Sequence, residues 1–329
     1  MEAVVTICVP LYNVKDCIAR CAKSLFEQTY SDVEYIFVDD CSPDDSVSVL
    51  SRVMGRYPER KQSIKIIKHN RNRGLSAARN TAIENCTGEF IMHVDSDDFI
   101  SLDAVEKLVK KQQETDADIV TGQVIQIHKS CLSMMERPHF DDKDDFIEDM
   151  IKPTIHHTIW GRLIKKSLYT DYNIQAKEGI NIGEDLQIMP QLSYYAKKVE
   201  SIWDVVYYYD CTNENSYMNQ YKGVNLYRLK QDTASMEVVR DFFVGKSDRF
   251  QNLAERYLYD YYWTLLEVLG KDVSRAEFHD IKSRLSLLNP LNCKNITKRK
   301  IKLAHYYLFL LAKHIAKLNN TGLSVLQKR

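Results

Sequence analysis

The chain has 329 residues, enough for one large domain or a domain with a substantial appendage, and its 44% hydrophobic content supports a sizeable core. Its 45 basic and 45 acidic residues balance, so no overall field points to nucleic acid or an acidic partner. The 8 cysteines form no C-x-x-C pair, and Cys17 and Cys21, one helical turn apart, suit small buried residues better than a disulfide framework.

The opening MEAVVTICVPLYN carries an early acid and no basic segment, unlike a secretory leader. No apolar run approaches the roughly 18 residues of a spanning helix. The expectation is a reducing, cytoplasmic setting.

VVTICVPLY (4–12) is a β-branched run closed by Pro10, and Asp16 is placed to cap a helix whose stripe is Ile18, Cys21, Leu25 and Phe26. VEYIFVDD (33–40) reads as the second strand, ending in acids and the turn CSPDDS. A helical stretch to Tyr57 leads to IKIIKH (64–69), the third strand. Ser76 is placed to cap the helix AARNTAIENC, and Gly88 breaks before EFIMHVD, the fourth strand; DADIVTGQVIQI (116–127) holds another. Strand–helix–strand units at this spacing predict a mostly parallel, doubly wound sheet, with ligands beyond the carboxyl ends of its strands. Tyr12-Asn13, Asp39-Asp40 and Asp95-Ser96-Asp97-Asp98 would then meet on one rim. The stretch 132–215 is less regular, and past Tyr221 the pattern turns helical.

Asp-Ser-Asp-Asp after a strand fits a solvated turn leading to a helix start. It also fits a metal site, since hard divalent cations take one or two protein carboxylates and complete their shell with phosphates. Glu184-Asp185, in GINIGEDLQIMPQL, fits the first turn of a helix, where the dipole favours acids. IKLAHYYLFLLAKHIAKL (301–318) puts Ile301, Ala304, Leu308, Leu311, Ile315 and Leu318 on one stripe, with KNITKRKIK just before it. That stripe suits packing on the preceding domain or in a homodimer, and alternatively a basic amphipathic helix on an anionic membrane.

The blocks TICVPLYNVKDCIARCAKSLFEQTY, VDDCSPDDS and NRNRGLSAARNTAIENCTGEFIMHVDSDD resemble, in order, those of family 2 glycosyltransferases of the GT-A fold, densely over 4–125 and loosely to about 220. The resemblance implies an α/β, Rossmann-like mixed sheet flanked by helices. It implies a catalytic domain over 1–220, with a nucleotide-sugar half (1–125) and an acceptor half (126–220), followed by a helical region over 221–329. It implies inverting sugar transfer from a nucleotide-sugar, most simply a UDP-sugar, with Mn²⁺ or Mg²⁺, to a glycan or lipid-linked acceptor in surface polysaccharide synthesis. Such an enzyme would be cytoplasmic, with the inner face of the membrane as its alternative address.

Carried over by position, Pro10 and Tyr12 would line the nucleobase pocket, and Asp39 would accept from the base. Asn72 and Arg79 would sit near the nucleotide, Arg79 helping to offset the charge of the leaving diphosphate. Asp95 would approach ribose or metal, and Asp97 would be the principal metal ligand. Asp98, one residue out of phase, reads as a turn or cap residue. Asp185 would be the base and Glu184 a supporting or acceptor-binding carboxylate. IWGRLIKKSL resembles the family's W-N-K-L-Y-K-R segment with Gly161 and Arg162 replacing the usual residues, and Trp160 either faces the acceptor or packs. YYYDCTNENS keeps Ser216 but has Asp210 where arginine is common, so Asp210 is left out of the site. Two other classes remain: a D-x-D, Mg²⁺-dependent phosphotransferase with an aspartate nucleophile, and a non-catalytic nucleotide-sugar-binding protein.

Overall fold

The β-branched runs form strands because their alternate residues enter two different apolar layers. In a computed structural model that describes residues 4–135, 140, 142–154, 157–213, 216, 225–269 and 274–288, Val5, Ile7 and Val9 of β1 (Val5–Leu11) join Tyr35 and Phe37 of β2 (Val33–Asp39) in one cluster. Cys8, Ile36 and Val38 face the other cluster. With β3 (Ile64–Lys68) and β4 (Phe90–His93) these strands lie parallel in the order β3-β2-β1-β4.

Beyond β4 the sheet departs from the mostly parallel expectation. β5 (Phe99–Ile100) follows at once; β6 (Ile119–Ile127) and β7 (Leu132–Met135) form an antiparallel pair. β8 (Arg162–Lys165), in a stretch that looked irregular in sequence, inserts between β4 and β6 and runs antiparallel to both. β9 (Val199–Asp210) pairs parallel with β6 and antiparallel with β5. The nine strands described make one mixed sheet.

α1 (Ile18–Phe26) buries Ile18, Cys21, Ala22, Leu25 and Phe26, the stripe read from its spacing. Asp16 does not cap it: Cys17 occupies the cap without a side-chain bond, and the Val14 carbonyl takes the Cys17 and Ile18 amides at 3.0 and 2.9 Å. α2 (Ser46–Met54) and a 3₁₀ turn (Pro58–Ser63) precede β3. α3 (Leu75–Asn85) also lacks the expected cap, since Gly74 stands at its start and Ser76 lies inside the helix, its buried hydroxyl donating to the Ile180 carbonyl. α4 (Ala104–Thr115) covers the first cluster, while α5 (Lys143–Ile151), α6 (Ser167–Thr170) and α7 (Glu184–Tyr195) contribute to the second.

α8 (Leu226–Phe243), α9 (Asp248–Leu269) and α10 (Arg275–Leu287) make up the described part of the helical region. Met236, Val239 and Phe243 of α8 share a third apolar cluster with Ile147 and Ile151 of α5 and Leu186 of α7. That seam fixes α8 against the beginning of α7. The stripe over 301–318 lies outside the described residues, and no described helix is long and apolar enough to cross a membrane.

Candidate active site

The carboxyl ends of β1 and β4 open onto a cavity of about 590 Å³, within the usual range for a small-molecule site. Pro10, Tyr12, Asn72, Arg79, Asp95 and Asp97 all line it, as do Trp160, Glu184 and Asp185 from the second half of the chain. Of the sequence-derived site residues, Asp39 stands behind this lining. It pairs in register with Leu11, its Oδ1 accepts the Ser42 amide at 2.8 Å, and its Oδ2 lies 3.8 Å from Lys68. Asp40 reaches the cavity, with a carboxylate that accepts the Arg73 and Gly74 amides at 2.8 and 2.7 Å and meets His69 Nδ1 at 2.7 Å. The turn before α3 is thereby pinned to the end of β2. Gly74 is required there: its φ is +89°, and a Cβ would stand 2.4 Å from the Asn181 side chain.

At the end of β4 the chain turns back on itself, the Asp98 amide donating to the Asp95 carbonyl at 3.0 Å. Asp98 is more than a turn residue. Its fully buried carboxyl accepts from the Tyr207 hydroxyl at 2.7 Å and the Asp210 amide at 2.8 Å, and Tyr207 in turn accepts the Asp95 amide at 3.0 Å. Burial, then the charges of Asp97 and Asp95, raise it well above the ordinary carboxyl range. This chain orients Asp95 and Asp97 towards the cavity. Asp210, set aside in the sequence, pairs with Arg20 at 2.6 Å, and Arg20 also donates to the Asp97 carbonyl at 2.7 Å. A cation from α1 therefore stands beside Asp210, the position where arginine is common.

Arg79 is not a surface arginine. Only 2% exposed, it donates through Nη2 to Asp95 at 2.8 Å and through Nη1 to Glu184 at 2.7 Å and to Asp185. Burial opposes its charge, and Asp185, Asp95 and Glu184 outweigh it. One guanidinium thus joins an acid of the D-x-D turn to the first turn of α7, positions 105 and 106 residues further along the chain. α7 starts at Gly183, whose φ is +75°; a Cβ there would lie 3.0 Å from the Ser235 hydroxyl of α8. Burial raises the Glu184 and Asp185 carboxyls. Asp185 pushes Glu184 further up, whereas Arg79 works the other way on both.

Asp97 is pushed up to about 6, first by burial and then by Asp95, although the Asn213 amide donates to its Oδ2 at 3.0 Å. No cluster of three or more metal-ligating side chains occurs among the described residues. A divalent ion would therefore draw on the two carboxylates of Asp95 and Asp97 and complete its shell with phosphate and water, as hard cations of the Mg²⁺ type commonly do. An oxygen-only donor pair, one member of which is held up by burial and by its acidic neighbour, fits such an ion.

Trp160 is 4% exposed and both packs and lines the cavity, stacking on Tyr207 at 4.7 Å and Tyr209 at 5.4 Å. The neighbouring Arg162 is fully buried, hydrogen-bonded to the Thr158 carbonyl and the Thr121 hydroxyl. Sequence reasoning passed over Arg20, Tyr207 and Asn213, and also Arg228, Asp232 and Tyr261, which line the cavity from the helical region. Asn213 lay inside the quoted YYYDCTNENS block; the three helical residues carry no local signal.

The profile of "Glycosyl transferase family 2" matches residues 6–171. The chain is 30% identical over 207 residues to Glycosyltransferase GlyA of Streptococcus pneumoniae, covering 59% of this chain and 29% of that protein. It is 30% identical over 219 residues to the poly(ribitol-phosphate) beta-glucosyltransferase of Bacillus spizizenii, covering 65% and 33%. The matched segments thus span about a third of these relatives' lengths. Among solved structures, S. aureus TarS 1–349 in complex with UDP-GlcNAc is similar at a TM-score of 0.62 and 18% identity, covering 80% of this chain and 73% of that one. The mannosyltransferase PcManGT from Pyrobaculum calidifontis, in complex with GDP-Man and Mn²⁺, gives 0.58 and 19%, covering 96% and 88%. These two likenesses carry the GT-A architecture, and the matched profile, over half of the chain and including the whole D-x-D rim, carries the family: the chain belongs to glycosyl transferase family 2.

Proposed function

We propose that the chain transfers a sugar, with inversion, from a nucleotide-sugar to a hydroxyl of a glycan or lipid-linked acceptor in surface polysaccharide synthesis. The observation that carries this reading is the Arg79 bridge, which sets Asp95 of the D-x-D turn and the Glu184–Asp185 pair around one cavity. The nucleoside lies along Pro10, Tyr12 and Asn72, which line the cavity. A UDP-sugar is the donor we favour, in keeping with the UDP-GlcNAc held by TarS, and a polymer acceptor accords with the name of the Bacillus spizizenii relative.

Asp185 accepts the proton of the acceptor hydroxyl as its oxygen attacks the anomeric carbon. The bond from that carbon to the diphosphate oxygen breaks, and the nucleoside diphosphate leaves with the electron pair. A carboxyl raised by burial is a stronger base than an exposed one, which suits proton abstraction. Arg79 orients Asp185 and balances the neighbouring acids. Asp95 and Asp97 would hold Mn²⁺ or Mg²⁺, which when bound supplies positive charge against the diphosphate. One displacement at the anomeric carbon gives inversion.

The test is a panel of UDP-, GDP- and dTDP-sugars scored by thermal shift with and without Mn²⁺. A UDP-sugar should raise the melting midpoint only with the ion present; no stabilisation by any member would remove the donor site from consideration.

A further inference from the structure

The cavity continues past Glu184 and Asp185. Arg228 and Asp232, one turn apart on α8, and Tyr261 on α9 line it as well, and all three lie beyond the segment matched by the family profile. α8 is fastened to the loop before α7. Gln231 accepts the Asn181 amide at 2.6 Å and donates to the Gly179 carbonyl at 3.3 Å, while the Ser235 hydroxyl donates to the Ile182 carbonyl at 3.0 Å. Asp232 Oδ1 lies 3.8 Å from where a Gly183 Cβ would stand, so it is a near neighbour of the pair that begins at the next residue.

Arg228 and Asp232 form an ion pair at 3.5 Å, with side chains 36% and 23% exposed. Such a pair contributes little to helix stability. At the wall of a cavity, however, it presents a fixed acceptor beside several N–H donors with no net charge. A hexose or amino-sugar ring offers adjacent hydroxyls for such a pair and C–H faces for an aromatic ring such as Tyr261. A phosphate would find Arg228 already paired with Asp232 and would also face Glu184 and Asp185, which disfavours it. Because Asp185 is the base in the reading above, the sugar that it deprotonates must lie on this side of the cavity.

We propose that Arg228, Asp232 and Tyr261 form an acceptor subsite for an uncharged glycosyl residue, the one bearing the attacking hydroxyl. The proposal rests on the glycosyltransferase reading of this cavity.

The experiment uses the full chain with Mn²⁺, the donor selected by the panel above, and methyl glycosides of glucose, galactose and N-acetylglucosamine beside their 6-phosphates as acceptors. Neutral glycosides should raise turnover above donor hydrolysis. Asp232→Asn and Arg228→Gln should each raise the acceptor KM about tenfold or more, while UDP affinity by calorimetry and the transfer kcat stay within about twofold. Tyr261→Phe, which keeps the ring, should leave KM near wild type, and Tyr261→Ala should raise it. An unchanged acceptor KM in both α8 variants, an equal loss of UDP affinity, preference for the phosphorylated glycosides, or no response to any glycoside overturns the subsite. A wild type that no nucleotide-sugar of the panel stabilises overturns the underlying reading and the subsite with it.

Discussion

Arg79 and Arg162 are both buried almost completely, at 2% and 1% exposure, yet they do different work. Arg162, at the start of β8, hydrogen-bonds the Thr158 carbonyl and the Thr121 hydroxyl, with its Nη2 3.7 Å from the Met150 sulfur and its guanidinium over the Phe146 ring. It ties three elements together beside the cavity. Arg79 sits among the carboxylates of Asp95, Glu184 and Asp185, drawn from two distant parts of the chain. A buried cation bonded to a backbone carbonyl and a hydroxyl braces a fold. One surrounded by acids also sets which of those acids stay ionised, and so belongs to chemistry.

The largest expected effect is at Arg79 itself. Arg79→Met leaves buried carboxylates without their cation, and the expected loss is about 3–5 kcal/mol in urea unfolding. Glu184 and Asp185 already have raised pKa values, so the folded state favours their protonated forms and their contribution to stability falls as pH rises through the raised range. The defect should therefore be smaller at pH 5 than at pH 8, and a pH-independent defect would count against the electrostatic account. Arg162→Met should cost less, about 1–3 kcal/mol.

Asp185→Asn addresses the chemistry with the fold intact. Transfer should fall about 10²–10⁴-fold with UDP binding retained, read by product formation and calorimetry; unchanged transfer would sink the assignment of the base. Asp97 gives a pH-dependent effect of intermediate size. Its carboxyl is pushed up to about 6, so the metal-free fold should lose stability as pH rises from the ordinary carboxyl range through 6. Mn²⁺ must displace that proton, so its stabilisation should grow through pH 6 and level off above it. Asp97→Asn should abolish that growth, measured as Mn²⁺-dependent thermal shift at successive pH values. The smallest expected change is at Gly183→Ala, about 1–2 kcal/mol of strain from φ +75° and the nearby Ser235 hydroxyl. Because the strain lies one residue before α7, kcat should drop with donor affinity kept.

Most of the parallel half could be read from the chain. Alternation in VVTICVPLY and VEYIFVDD, and the 3.6-residue stripe of α1, are local signals that tertiary packing reinforced. The caps were misread because other partners replaced the expected side chains: the Val14 carbonyl starts α1, and the Asp40 carboxylate, just past the end of β2, holds the turn before α3. β8 was invisible because a four-residue strand has too few positions to show a period, and its place between β4 and β6 depends on both neighbours.

For the candidate site the division is similar. The D-x-D acids, the strand-end aromatic Tyr12 and the Glu-Asp pair were legible as residue types at characteristic places, and the family blocks ordered them. Asp98 was taken for a turn residue because its partners, Tyr207 and the Asp210 amide, lie 109 and 112 residues away. Local pattern was enough to show which acids stand at strand ends and helix starts, since hydrophobic periodicity and turn chemistry act over a few residues. Folding of the whole chain was needed for Arg79 to join Asp95 to Asp185, and for α8 to bring Arg228 and Asp232 to the same cavity. Such pairings are set by how buried surfaces close on one another, and charge separated by a hundred residues of chain leaves no trace in local pattern.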